Sequence, residues 1–265
     1  MSGGRRLDAI LVERGLAETR SRAQAMILAG RVRVGDRVVT KAGFRPAPGE
    51  EVRLVAPERP FVSRGGEKLA AALERFGVEV EGRLCLDAGA STGGFTDVLL
   101  RRGARRIIAV DVGYGQLDWR LREDPRVEVM ERTNVRHLGA KDLPFAPELV
   151  VADLSFISVV LALSGLLRSA GSVREAVVLV KPQFEVGPER VSRGGVVRDP
   201  EARAEAILRA AEGFGRLGFG AVGVMESPVA GRRSGNREYL LHLLKGAEAA
   251  VGPEEAREVS GGAPF

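Results

Sequence analysis

The chain has 265 residues, enough for one or two domains with a real core, and its mean hydropathy is near zero. No run approaches the ~18 uninterrupted apolar residues of a membrane span, and acidic residues inside MSGGRRLDAILVERGL do not fit a signal peptide. A single cysteine, Cys85, excludes a disulfide framework and fits a reducing cytoplasm, while two scattered histidines, His137 and His242, lack metal-ligand spacing.

The net charge of +5 is unevenly placed. Residues 1–57 hold 11 Lys and Arg against 6 Asp and Glu, and the remainder holds 29 of each. A small basic module ahead of a balanced one points to nucleic acid, although charge runs often only solvate a face. In this module Leu7, Ile10 and Leu11 at helical spacing predict a helix that Gly15 ends. A second helix is predicted from Ser21, with Gln24 completing a capping box, Ala25, Ile27 and Leu28 apolar, and Gly30 closing it. VRVGDRVVT alternates about Gly35 and Asp36, a short hairpin signal. Arg5, Arg6, Arg20, Arg22, Arg31, Arg33, Arg37 and Lys41 dress this small α+β module and are its candidate RNA contacts. Phe44 is its only aromatic, so stacking on single strands is not its method.

APERPFVSRGG carries two prolines and two glycines and marks the linker, placed at 58–66, before a larger domain at 67–246. GEKLAAALERFG predicts a helix with Leu69, Leu73 and Phe76 on one side. Strands are predicted at 83–88, 106–111, 127–130, 148–153, 176–181, 220–225 and 237–244, and helices at 93–102, 158–167 and 200–217. Apolar strands alternating with helices predict an α/β fold, a mostly parallel Rossmann-like sheet covered on both faces. The tail, 247–265, is expected to fray.

In such sheets ligands lie beyond the carboxyl ends of the strands, where Asp87, Asp111, Asp153 and Lys181 all fall. The turn in CLDAGASTGGFTDVLL does not match the dinucleotide fingerprint. A pyrophosphate wants bare amides, whereas S-adenosylmethionine brings a sulfonium and an ammonium that suit acidic side chains. Gly89, Ala90, Ser91, Gly93, Gly94 and Phe95 form the candidate cofactor turn, with glycines expected where a Cβ would collide with the ligand. Asp87 and Asp153 are expected near the cationic end and Asp111 at the ribose hydroxyls, while Asn134 is a candidate for the adenine or equally a turn residue.

Only five of the 40 basic residues are lysine. Lysine at the end of the apolar strand VVLVK therefore asks for something arginine cannot do, and Lys181 is a candidate general base.

The front pattern R-L-D-x-x-L-x-x-x-G, continued by R-S-x-A-x-x-x-I-x-x-G-x-V-x-V, resembles the RNA-binding domain named after the fourth small-subunit ribosomal protein. That resemblance implies recognition of structured RNA by shape and phosphates. DAGASTGGF resembles the first motif of FtsJ-type RNA 2′-O-methyltransferases, whose Lys-Asp-Lys-Glu tetrad finds matches at Lys68, Asp153, Lys181 and Glu238. With SRGGEKL, KPQFE, GGVVRD and SGNREYLL, the whole resembles the TlyA family of ribosomal-RNA cytidine 2′-O-methyltransferases. The resemblance implies S-adenosylmethionine as cofactor, ribosomal RNA within ribosomal subunits as partner, and no membrane or obligate protein partner. It also makes Lys68 the other candidate proton acceptor, since Asp153 near Lys181 opposes the first assignment. Another RNA such as tRNA, and a non-catalytic assembly factor, stand as alternatives. A membrane-lytic role lacks a span and an apolar surface helix.

Overall fold

A computed structural model describes residues 5–28, 30–54, 61–230 and 235–261. It divides into two compact units, Met1–Arg59 and Pro60–Phe265.

In the first unit, helix α1 (Leu7–Glu13) and helix α2 (Arg20–Leu28) pack beside a three-stranded antiparallel sheet ordered β2-β1-β3, with β1 Val32–Val34, β2 Arg37–Val38 and β3 Val52–Leu54. Leu7, Leu11, Ala23, Met26, Ile27, Val32 and Val34 form its core. Two expectations change here. The α2 cap is Thr19, whose hydroxyl accepts from the Arg22 amide at 3.1 Å, and Gln24 reaches Asp8 instead of closing a capping box at Ser21. The buried stripe of α2 is Ala23, Met26 and Ile27, spaced three and four apart, which turns Ala25 and Leu28 outward.

The second unit begins α3 (Arg64–Phe76) inside the expected linker; residues 55–60 lie outside the described ones. Ser63 caps α3 through its hydroxyl and Gly77, left-handed at φ 67°, ends it. Then follow β4 (Leu84–Ala88), α4 (Gly94–Arg101), β5 (Arg106–Val110), α5 (Trp119–Arg122), β6 (Val127–Met130), β7 (Leu149–Ala152), α6 (Val159–Ser169), β8 (Glu175–Val180), α7 (Pro182–Glu185), α8 (Pro200–Gly215), β9 (Phe219–Glu226), β10 (Tyr239–Lys245) and α9 (Pro253–Ser260).

The seven strands are ordered β6-β5-β4-β7-β8-β10-β9, parallel except for β10, which runs antiparallel to both neighbours. Apolar layers cover both faces of this Rossmann-like sheet, as runs such as VVLV require when strands are buried on two sides. The tail does not fray over its described part. α9 opens on Gly252-Pro253, ends at left-handed Gly261 and buries Ala256, while the Val251 amide donates to the Ala221 carbonyl. Residues 262–265 lie outside the described ones.

Candidate active site at the carboxyl end of the sheet

Four loops and one helix start meet where the parallel strands end. Asp153 follows β7 directly and Lys181 follows β8. Because β10 runs backwards, its beginning lies beside the end of β8, with Tyr239 opposite Val180. That reversal sets Glu238 beside residues that all come after strands. Lys68 joins them from the first turns of α3, whose Leu69, Ala72 and Leu73 are buried against the sheet layer.

The four side chains form one chain of alternating charge. Lys68 Nζ donates to Glu238 Oε2 at 2.5 Å and lies 3.5 Å from Asp153 Oδ2. Lys181 Nζ lies 2.6 Å from Asp153 Oδ1 and donates to Ser155 Oγ at 2.9 Å. Lys68 and Lys181 are each 8% exposed and Glu238 4%, so the charges are held by one another more than by water. Two lysines and two carboxylates sum to zero. Each lysine thus meets two partners, and an ammonium has three donors.

Beside this chain lies the glycine turn. Asp87 is sealed from solvent, accepts from Thr96 Oγ1 at 2.6 Å, and leaves Oδ1 without a partner. Burial first, then the charges of Asp153 and Asp111, push its carboxyl up to about 7, against the Thr96 hydrogen bond that lowers it. Asp111 is half-buried and accepts from the Ser91 amide at 2.8 Å and the Gly113 amide at 2.6 Å, which ties the turn to the loop after β5. Two of its lone-pair sites remain. The unpaired Asp87 oxygen and the spare lone pairs of Asp111 suit a ligand that donates hydrogen bonds or carries positive charge.

The glycines of the turn are also required by the protein packed around them. A Cβ on Gly89 would sit 2.6 Å from the Asp153 carbonyl oxygen, one on Gly93 2.2 Å from Leu121, and one on Gly94 2.2 Å from Ser63 Oγ. Each close approach is to protein, so these residues bring the turn against β7, α5 and α3, and Gly89 and Gly93 also need positive φ. Ala90 and Phe95 are buried in the core beside them, leaving Ser91 and Thr92 as the exposed members of the turn. Asn134 is exposed and caps a short turn, accepting from the Arg136 amide at 3.1 Å.

Several groups carry no signal in the sequence pattern. Ser155 completes the Lys181 contacts. Phe156 is 86% exposed in a left-handed conformation, φ 67°, with its ring 5.4 Å from that of Phe184. Glu185 accepts from the Val159 amide at 2.8 Å at the start of α6, and burial raises its carboxyl pKa. Asp153, Ser155, Phe156 and Val159 are thus all fastened to the single segment 181–185.

In the first unit, Arg6 and Arg20 both reach Asp8, Arg5 pairs with Glu13 and Arg37 with Glu50. Arg22 and Lys41 are exposed, and Arg31 and Arg33 are half-buried, each with an Nε that has no partner.

Comparison with known proteins agrees with both units. Residues 61–245 match the FtsJ-like methyltransferase model and residues 5–52 the S4 domain. The chain is 50% identical to the 16S/23S rRNA (cytidine-2′-O)-methyltransferase TlyA of Mycobacterium tuberculosis, over 93% of this chain and 92% of that protein. It is 39% identical to Hemolysin A of Brachyspira hyodysenteriae, over 90% and 99%. A solved structure from Streptococcus thermophilus that carries a hemolysin name aligns at TM-score 0.75 and 38% identity, covering 97% of this chain and 94% of that one. Among the described residues no helix is long and apolar enough to cross a membrane.

Proposed function

The chain belongs to the FtsJ-like methyltransferase family, and we propose that it transfers a methyl group from S-adenosylmethionine to the 2′-hydroxyl of a cytidine in ribosomal RNA. The observation that carries this reading is the continuous Glu238–Lys68–Asp153–Lys181 ion-pair chain at the carboxyl end of the sheet. The cytidine and the ribosomal substrate come from the names of the TlyA relatives. A ribosomal substrate places the work in the cytoplasm.

The cofactor supplies an already activated methyl group, so the protein has two tasks: to align the acceptor oxygen and to take its proton. Asp87 and Asp153 face the cationic part of the cofactor, and Asp111 has lone pairs left for ribose hydroxyls. The orphaned Asp87 oxygen and the mutual repulsion of three carboxylates fit a cationic ligand. Lys68 lies between two carboxylates and donates to the acceptor oxygen. Lys181 has one carboxylate and one hydroxyl, and it accepts the proton. Losing a proton from the neutral cluster leaves one negative charge beside a cationic cofactor, which offsets it. The front unit, an S4 domain, grips phosphates with its arginines.

Incubating the protein with radiolabelled S-adenosylmethionine and purified ribosomal subunits tests this directly, with the modified nucleoside identified after nuclease digestion. Label in 2′-O-methylcytidine is the expected result. Label on a base, or none in either subunit, would contradict it.

A further inference from the structure

One buried acid in the first unit takes no part in the chemistry above. Asp8 lies in the first turn of α1 with 0% exposure, inside the most basic part of the chain. Its carboxylate is fully engaged. Oδ1 accepts from Arg6 Nε at 3.1 Å, and Oδ2 accepts from Arg6 Nη2 at 2.9 Å and from Gln24 Nε2 at 2.8 Å. Arg20 Nε approaches the same Oδ2 at 3.5 Å. Hydrogen bonding to Arg6 holds the carboxyl well below its ordinary range, against its own burial and helped by Gln24 and Arg20, so it stays charged.

One cation is enough to balance the charge of a buried carboxylate. This one gathers two cations that stay on the surface: the Arg6 side chain is 42% exposed and that of Arg20 60%. Arg6 spends two of its five donors on Asp8 and keeps three. The Gly43 backbone lies beside the same guanidinium, close enough that an added Cβ would reach ordinary contact with Arg6 Nη1 at 3.6 Å. Arginine normally gives up much rotamer freedom when it grips a phosphate. Here that freedom is already spent in the folded protein.

We propose that Asp8 is a positioning residue for RNA: it fixes Arg6 and Arg20 as a preformed two-guanidinium fork with net charge +1, ready for adjacent phosphates. The proposal rests on the RNA-directed reading of the front unit and adds that an acid is required for binding a polyanion. The sign of that effect is opposite to charge arithmetic. Asp8→Asn adds one positive charge, which by counterion release alone should tighten RNA binding.

The test is equilibrium binding of the full-length protein to purified ribosomal subunits at one fixed ionic strength. Asp8→Asn should weaken binding by about fivefold or more, the scale of ordering two long side chains on binding instead of beforehand. Glu18→Gln, the same charge change at an exposed acid of the same unit, should leave binding unchanged or slightly tighter. Arg6→Lys keeps the charge but loses the planar fork, and should weaken binding in the same direction. Asp8→Asn also leaves the buried acceptor weaker, so thermal unfolding is followed alongside; if that variant is unfolded, Arg6→Lys decides alone. Asp8→Asn protein that is folded and binds as tightly as wild type or tighter overturns the proposal, as does Arg6→Lys with unchanged affinity. Wild-type protein that fails to bind either subunit overturns the ribosomal reading, and this proposal with it.

Discussion

The two ends of the seven-stranded sheet carry two buried ion networks that tie the same elements together. At the amino end Arg83 pairs with Glu175, whose Oε1 lies 2.6 Å from His242 Nε2, and Phe76 at the end of α3 stacks on His242 at 5.2 Å. At the carboxyl end Lys68, near the start of the same helix, meets Glu238, Asp153 and Lys181. Both networks join α3 to β8 and to the β10 segment. One is built on arginine and an aromatic stack, the other on two of the five lysines in a chain with 35 arginines. Arginine holds a charge permanently in a rigid planar fork; lysine is a compact donor that can give up its proton. On the proposed reading the amino end holds the fold together, and the carboxyl end moves a proton.

Substitutions at the two ends should therefore separate. The largest expected effect is Lys181→Ala, which should lower methyl transfer by about a hundredfold to ten-thousandfold, the usual worth of a general base. Its affinity for S-adenosylmethionine, measured by calorimetry, should change little, because Lys181 acts on the acceptor.

Next is Asp87→Asn, which should weaken cofactor affinity about tenfold, as expected for loss of a charged hydrogen-bond partner. It also has a stability signature. The folded-state value, about 7, is raised above the ordinary 3.8. Asp87 therefore contributes most below 3.8, and wild-type stability should decline as pH rises from there through about 7. In Asp87→Asn that part of the decline should vanish, which a series of thermal unfolding curves against pH would read. An unchanged slope would mean that the burial of Asp87 is not what sets it.

At the amino end, His242→Ala should lower unfolding stability by about 1–3 kcal/mol through a lost buried hydrogen bond and ring contact. The transfer rate of the folded fraction should stay close to wild type. Smallest is Glu185→Ala, which removes the acceptor for the Val159 amide and should cost about 1 kcal/mol of stability, the usual scale of a helix cap. Glu185→Gln keeps an acceptor oxygen and should restore most of it, as urea unfolding would show.

How far the sequence led depends on what each feature needs from the rest of the chain. The strand ends were legible because two-sided burial writes continuous apolar runs, and an Asp or Lys ending such a run stands out. That is why Asp87, Asp111, Asp153 and Lys181 could be placed at one end before any coordinates. Glu238 precedes its strand, and only the reversal of β10 brings it there, so its place came through family resemblance. The glycines of the turn were legible as a turn but not in their partners, since Leu121, Ser63 and the Asp153 carbonyl come from other elements. Gln24 was drawn away from a local cap by the buried Asp8, a tertiary contact that outweighs a short-range pattern. The tail helix had its signals in GPEEAREVSG, with Pro at the start, acids in the first turn and Gly at the end. They were outweighed by the expectation that termini fray.

The most direct measurement is a reciprocal exchange, with single-turnover methyl transfer to ribosomal subunits and thermal unfolding recorded for Lys181→Arg and Arg83→Lys. Lys181→Arg preserves the positive charge but not a removable proton, and should lose transfer nearly as completely as Lys181→Ala while remaining folded. Arg83→Lys should lose stability while its folded fraction transfers methyl groups at close to the wild-type rate. Lys181→Arg protein that transfers at a rate near wild type would contradict the account, because charge alone would then suffice at the carboxyl end of the sheet.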